Sequence, residues 1–203
     1  MIQLPIFFSL VISLRNQGHQ IAQLIIDSGQ MLQGLVSDYE IIIIDNASDD
    51  HSLTHLKGMT GVDGLPNLQI YALTKEVDAD TAAWVGLENS LGDYVCVIDP
   101  LSDDINFLPK MLENAVSGTD VVFANNHQKS YKSIAYRLSY ALFHFLYRWF
   151  NGIHLATEAP QYRILSKRVI NFILQHPQPV MTYRHLPATG GFSKVNLSYS
   201  AKP

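Results

Sequence analysis

Short apolar runs alternate with segments of helical period along this chain. Phe7–Leu14 has the length and composition of a strand. Ile21, Leu24, Ile25, Leu32 and Leu35 then recur on one helical face. Glu40–Asp45 is nearly all isoleucine, the pattern of a strand buried on both faces. Leu68–Leu73 and Tyr94–Ile98 repeat the strand pattern, and helical segments at about 79–91 and 104–116 follow them. Asp120–Ala124 is a fifth short strand, and Lys194–Tyr199 is strand-like. This order predicts an α/β domain over residues 1–203, with an open, mainly parallel sheet and helices on both faces.

In such sheets, ligands bind beyond the carboxyl ends of the strands, where the strand order reverses. The polar residues at those exits are therefore the informative ones. They are Arg15-Asn16-Gln17, Asp45 through Asp50, Lys75-Glu76, and Asp99 through Asp104. A carboxylate at a strand end accepts from a nucleobase N–H or ribose hydroxyls, or holds a divalent ion. Asp49 and Asp103 are read as helix caps, a task aspartate does well. Asp45 and Asp99 end apolar strands and are harder to read that way. No G-x-G-x-x-G follows the first strand, where only Gly18 stands, and no P-loop or G-x-S-x-G elbow occurs. His51 and His55, four apart on a predicted helix, have no third metal ligand placed by the sequence, and an exposed helix face is the expectation.

Charge divides the chain. Residues 1–120 hold seventeen carboxylates and four cations, whereas residues 121–203 hold one carboxylate, Glu158, and ten cations. The acidic half repels phosphates and is a poor nucleic-acid surface. The basic half suits anionic lipid, phosphate or nucleic acid. The single cysteine, Cys96, lies in an apolar run and is expected to be buried and inert. The N-terminus lacks the positive region of a signal peptide, and no apolar stretch reaches the ~20 residues a membrane span needs. A cytoplasmic protein is expected, with association at the inner membrane surface open.

The strand exits resemble those of family 2 glycosyltransferases of the GT-A fold, in particular the enzymes that load a sugar onto a polyprenyl phosphate. Phe8 through Gln17 stands where the family has a strand ending in Pro-x-Tyr-Asn-Glu. Tyr39-Glu40-Ile41 through Asp50 stands for a Tyr-Glu-Ile strand followed by Asp-Asp-Gly-Ser-x-Asp. Ala82 through Asp99 follows the family's helix, Gly-Asp turn and strand into Asp-x-Asp, and Gln161-Tyr162-Arg163-Ile164-Leu165 matches Asp-Phe-Arg-Leu-Leu. The resemblance implies transfer of a hexose, with inversion, from a nucleotide diphosphate sugar to a polyprenyl-phosphate or saccharide acceptor. It implies a nucleotide site of Leu14, Asn16, Asp45, Asn46, Asp50 and Lys75. Asp45 would accept from the nucleobase. Asp99 would hold Mg²⁺ or Mn²⁺ on the diphosphate, with Asp103 or Asp104 as further ligands. Arg163 would pair with a phosphate.

Several motif positions differ from the family pattern. Leu101 replaces the second aspartate of Asp-x-Asp, Gln17 the glutamate after the first strand, Asn46 an aspartate, and Gln161 the aspartate before Phe-Arg. Leu101 binds no cation and Gln161 is no base. A phosphate acceptor is already anionic near neutral pH and needs none. A catalytically impaired nucleotide-sugar-binding or partner-binding protein is the alternative these replacements leave open.

Ser133, Arg137, Tyr140, His144 and Arg148 form a polar stripe on an otherwise apolar helix over 133–150. Such a helix is buried on most sides or lies at a bilayer interface. Relatives usually continue past the last strand with a basic loop and membrane segments. This sequence stops at Pro203, so either it is a short form or it needs a partner to reach the membrane; a membrane partner protein or a homo-oligomer is the expected assembly.

Overall fold

The isoleucines of Glu40–Asp45 are buried on both faces of a mixed sheet, on the second strand from one edge. The computed structural model describes residues 3–60, 64–127 and 159–200. In chain order they form β1 (Leu4–Leu14), α1 (Gly18–Leu35), β2 (Val36–Asp45), α2 (Ser52–Met59), β3 (Leu68–Ala72), α3 (Ala79–Glu88) and β4 (Tyr94–Ile98). A 3₁₀ turn (Ile105–Phe107) leads into α4 (Leu108–Val116) and β5 (Val121–Asn126). After residue 158 come β6 (Arg163–Ser166), α5 (Lys167–Leu174), the single turns α6 (Pro179–Thr182) and α7 (Leu186–Thr189), and β7 (Lys194–Tyr199). The predicted helix over 133–150 lies outside the described residues.

The sheet order is β3-β2-β1-β4-β6-β5-β7. All pairings are parallel except those of β6, which runs antiparallel to both β4 and β5. The expectation of a mainly parallel sheet holds, with β6 as the unpredicted reversed strand. Alternation in β1 and β2 explains the helices on both faces. Leu10, Ile12, Ile41 and Ile43 face the layer that contains α1, α2 and α4. Val11, Ile42 and Ile44 face the layer of α3 and α5. Cys96 is fully buried among the first set, and burial pushes its thiol up, as expected of an inert cysteine.

Gly18 has a packing reason rather than a phosphate-binding one. A Cβ on it would lie 2.7 Å from Ser52 Cα, so only glycine lets the starts of α1 and α2 approach this closely. Chain order reverses between β1 and β4. Ile12 pairs with Ile98, so the segments that follow Leu14 and Ile98 leave the sheet side by side. That is the point at which open α/β sheets bind ligands.

Candidate active-site cleft

A cleft of about 360 Å³ opens at this switch point. Its floor is the ends of β1 and β4 (Ser13, Leu14, Val97, Ile98) together with Ala83 of α3. Its polar walls are Arg15, Gln17, Asn46, Glu76, Asp78, Asp99 and Gln161. Of the predicted nucleotide and metal residues, Leu14, Asn46 and Asp99 line this space.

The two loops after β1 and β2 are sewn together. Asn16 adopts φ 56°, and its N–H donates to Ser48 Oγ (2.9 Å). Its side-chain oxygen accepts from the Asp49 N–H (3.0 Å). Asparagine tolerates this left-handed backbone better than most residues. Asp45 is buried, and one of its oxygens accepts the Ser48 hydroxyl, so it organises the same turn. Ala47 sits at φ 54°, a backbone that favours glycine, the residue of the family pattern at that place. Asn46 uses both ends of its amide on Val77, donating to the carbonyl (2.8 Å) and accepting from the N–H (2.9 Å). An aspartate in its place could only accept. The replacement of aspartate by Asn46 therefore fastens the β3–α3 loop to the cleft.

Four predicted site residues stand elsewhere. Asp50 is exposed and accepts from the Ser52 N–H at the start of α2 (2.8 Å). Hydrogen bonds from Ser52 hold its carboxyl below the usual range. Lys75 is exposed in the turn after β3 and does not line the cleft. Asp104, rather than Asp103, caps the 3₁₀ turn through the Asn106 N–H (3.0 Å). Arg163 is fully buried (0% exposed) in β6. Its guanidinium donates to the carbonyls of Arg184 (3.1 Å), Ala159 (3.2 Å) and Gln161 (3.3 Å), and lies over the Phe123 and Tyr183 rings. Burial pushes it down to about 10. The expected phosphate-pairing role of Arg163 is corrected by this cage, which leaves no face toward the cleft. The cap expected of Asp49 is likewise absent: its carboxylate pairs with Arg15 (3.6 Å).

Asp103 turns inward. It accepts from the Asp99 N–H (3.0 Å), and the Tyr199 hydroxyl reaches it from β7 (3.4 Å). Asp99 accepts from the Leu101 N–H (3.0 Å) and the Ser102 hydroxyl (3.1 Å). The Leu101 side chain is 59% exposed and offers no donor atom. His51 and His55 are both exposed, and among the described residues no three His, Cys, Asp or Glu side chains cluster as metal ligands. A divalent ion would find one carboxylate here, both of whose oxygens already accept hydrogen bonds. The expected set of Asp99, Asp103 and Asp104 is not assembled: Asp103 is turned to a backbone N–H and Asp104 caps a turn, which leaves Asp99 alone of the three for an ion on a diphosphate.

Arg15, Glu76 and Asp78 belong to the cleft without having been singled out as site residues. Arg15 and Glu76 stood at strand exits and were legible by position. Asp78 carries a cap signal: its oxygens accept from the Asp80 and Thr81 N–H groups (both 3.0 Å) and from the Thr81 hydroxyl (2.5 Å). The Thr81 hydroxyl bond leads in holding its carboxyl below the ordinary range.

Burial pushes the phenols of Tyr162, Tyr183 and Tyr199 up, as it does the Cys96 thiol. Above pH 9 to 10 the unfolded chain releases these protons before the native state does. The stability they contribute is therefore complete below pH 9 and is lost as pH rises. Arg163 works in the opposite direction above about 10, but it is one group against these four. The Tyr183 hydroxyl is buried with no hydrogen-bond partner among the described residues. Tyr183→Phe is expected to raise stability at pH 7 by about 1 kcal/mol and to flatten the alkaline loss. Urea unfolding at pH 7 and 10.5 checks both; a loss of stability at pH 7 would contradict the unpartnered hydroxyl.

Sheet order, switch-point cleft and strand-exit loops define a GT-A-type fold. The chain belongs to glycosyl transferase family 2, whose profile matches residues 9–174. It is 30% identical over 125 residues to the undecaprenyl-phosphate 4-deoxy-4-formamido-L-arabinose transferase of Pseudomonas fluorescens (strain SBW25), covering 60% of this chain and 36% of that protein. It is 25% identical over 163 residues to the bactoprenol glucosyl transferase of Shigella phage SfX, covering 80% and 50%. The chain thus spans half or less of the length of these two relatives. In structure it resembles the glucosyl-3-phosphoglycerate synthase of Mycobacterium tuberculosis crystallised with Mn²⁺, UDP-glucose and phosphoglyceric acid. The TM-score is 0.58 at 18% identity, covering 98% of this chain and 73% of that one. No helix among the described residues is long and apolar enough to cross a membrane.

Proposed function

We propose that this protein is a glycosyltransferase that binds a nucleotide diphosphate sugar in the switch-point cleft and passes the hexose, with inversion, to a polyprenyl phosphate. The carrying observation is the cleft itself, where Leu14, Asn46, Asp99 and Gln161 converge from four separate motifs. Asp45 and the loop it organises would receive the nucleobase. An acceptor oxygen attacks the anomeric carbon as the bond to the diphosphate breaks, and the nucleoside diphosphate leaves with the bonding pair. The cleft favours an acceptor that is already ionised. Gln161 takes no proton, and Asp78 is a poor base because its hydrogen bonds stabilise the carboxylate. With glutamine standing where the family motif has aspartate, a phosphate fits better than a saccharide hydroxyl does, because it needs no base there.

The whole chain would act as one unit, with the acidic half toward the nucleotide and the basic half toward an anionic lipid acceptor at the inner face of a membrane. The names of the two curated relatives support that acceptor class. Mn²⁺ accompanies UDP-glucose in the M. tuberculosis neighbour; here Asp99 would be its sole carboxylate, so metal enters the test as a variable. The experiment is incubation of UDP- and GDP-hexoses with detergent-dispersed undecaprenyl phosphate, with and without Mn²⁺. The expected result is a glycolipid and one nucleoside diphosphate per sugar transferred. Failure to bind any nucleotide by calorimetry would overturn the reading.

A further inference from the structure

Among the described residues that line the cleft, Arg15 is the single cation, facing Glu76, Asp78 and Asp99. A diphosphate entering this space meets three carboxylates and needs a positive partner. The usual source, a divalent ion on paired aspartates, does not fit: Leu101 is apolar, Asp103 is turned to the Asp99 N–H, and Asp104 caps a turn. We propose that Arg15 itself neutralises the nucleotide's diphosphate, so that nucleotide binding does not depend on a metal. This rests on the nucleotide-sugar reading above.

Position supports this assignment. Leu14 ends β1 opposite Asp45, and Ile12 pairs with Ile98, so Arg15 emerges between the β2 and β4 exits. Its Nε donates to the Ala47 carbonyl (3.4 Å), which steadies the guanidinium above the cleft. The other two nitrogens pair with Glu76 (3.2 Å) and Asp49 (3.6 Å). The three side chains are 37%, 59% and 74% exposed, respectively. Exposed ion pairs of this kind are weak. A diphosphate offers the planar fork two oxygens and more charge than either carboxylate, which makes the exchange favourable. The released acids return to water, where they are already largely solvated.

The test is calorimetric titration with UDP and GDP, each beside its nucleoside, in EDTA and in Mn²⁺. The expected result is diphosphate binding that survives EDTA. Arg15→Gln should weaken it about tenfold or more, while leaving uridine or guanosine binding unchanged. Arg15→Lys should recover part of the loss. Glu76→Gln should tighten diphosphate binding about twofold, because it removes a competitor for the guanidinium. Binding that appears only with Mn²⁺, is abolished by Asp99→Asn and is unaffected by Arg15→Gln would overturn the inference and leave the glycosyltransferase reading standing. No binding of either nucleotide under any condition would defeat that reading and this inference together.

Discussion

Glu40→Ala should cost about 3–5 kcal/mol of stability, read as a lower urea midpoint at unchanged slope. Glu40 is buried near the amino-terminal end of the sheet, away from the cleft. One oxygen accepts from the Ser9 hydroxyl (2.6 Å) and the Leu91 N–H (2.7 Å), and the other from the Gln69 amide (2.7 Å). Ser9 in turn accepts from the Gly92 N–H (2.9 Å). One carboxylate thus ties β1, β2, β3 and the turn before β4. Gly92 is needed there, since a Cβ on it would lie 2.7 Å from the Ser9 nitrogen. Alanine at position 40 would strand the buried Ser9 hydroxyl, at about 1–3 kcal/mol, together with two partly buried donors, and leave a cavity. Glu40→Gln should cost only about 1 kcal/mol. Its oxygen keeps two donors, and Gln69 can flip its amide to accept from the new NH₂ while donating to the Tyr71 hydroxyl now bonded to it (3.0 Å). Equal losses for the two variants would show that the network does not hold the sheet together.

β1, β2 and β4 were legible because they are largely buried on both faces and therefore plainly apolar. Tyr94–Ile98 and Lys194–Tyr199 coincide with β4 and β7. β2 begins earlier than the isoleucine run, because α1 passes directly into Val36 without a loop signal. β6 escaped because it has four residues and lies inside a segment read as a motif. That omission carried over to the site. Arg163 alternates with Leu165 on the face covered by α3 and α5, so recognising the strand would have shown a buried guanidinium. The strand exits were legible as the place of chemistry, but not which polar residue enters the cleft. Asn16 and Asp50 stitch loops, whereas Arg15 and Glu76, their near neighbours at exits, line the space. Side-chain direction in irregular loops follows from hydrogen bonds that the sequence does not display.

Arg163 supplies the sharpest contrast between a motif role and a structural one. Arg163→Ala is expected to cost about 4 kcal/mol or more, because it strands the carbonyls of Gln161 and Arg184, takes one of two donors from the Ala159 carbonyl and opens a void between the Phe123 and Tyr183 rings. Arg163→Lys should recover little, since an ammonium cannot span carbonyls on two separate segments with a planar fork. The Ala159 carbonyl also accepts from Arg184 (2.7 Å), whose guanidinium pairs with Asp80 on α3 (2.7 Å). Loss of the cage should therefore loosen the residues after α6 and their hold on α3. Nucleotide affinity per folded molecule should stay near wild type, because Arg163 does not reach the cleft. Urea unfolding and calorimetry on the same preparations separate the two roles. A variant with a wild-type midpoint that has lost UDP and GDP binding would return Arg163 to the phosphate and set the cage aside.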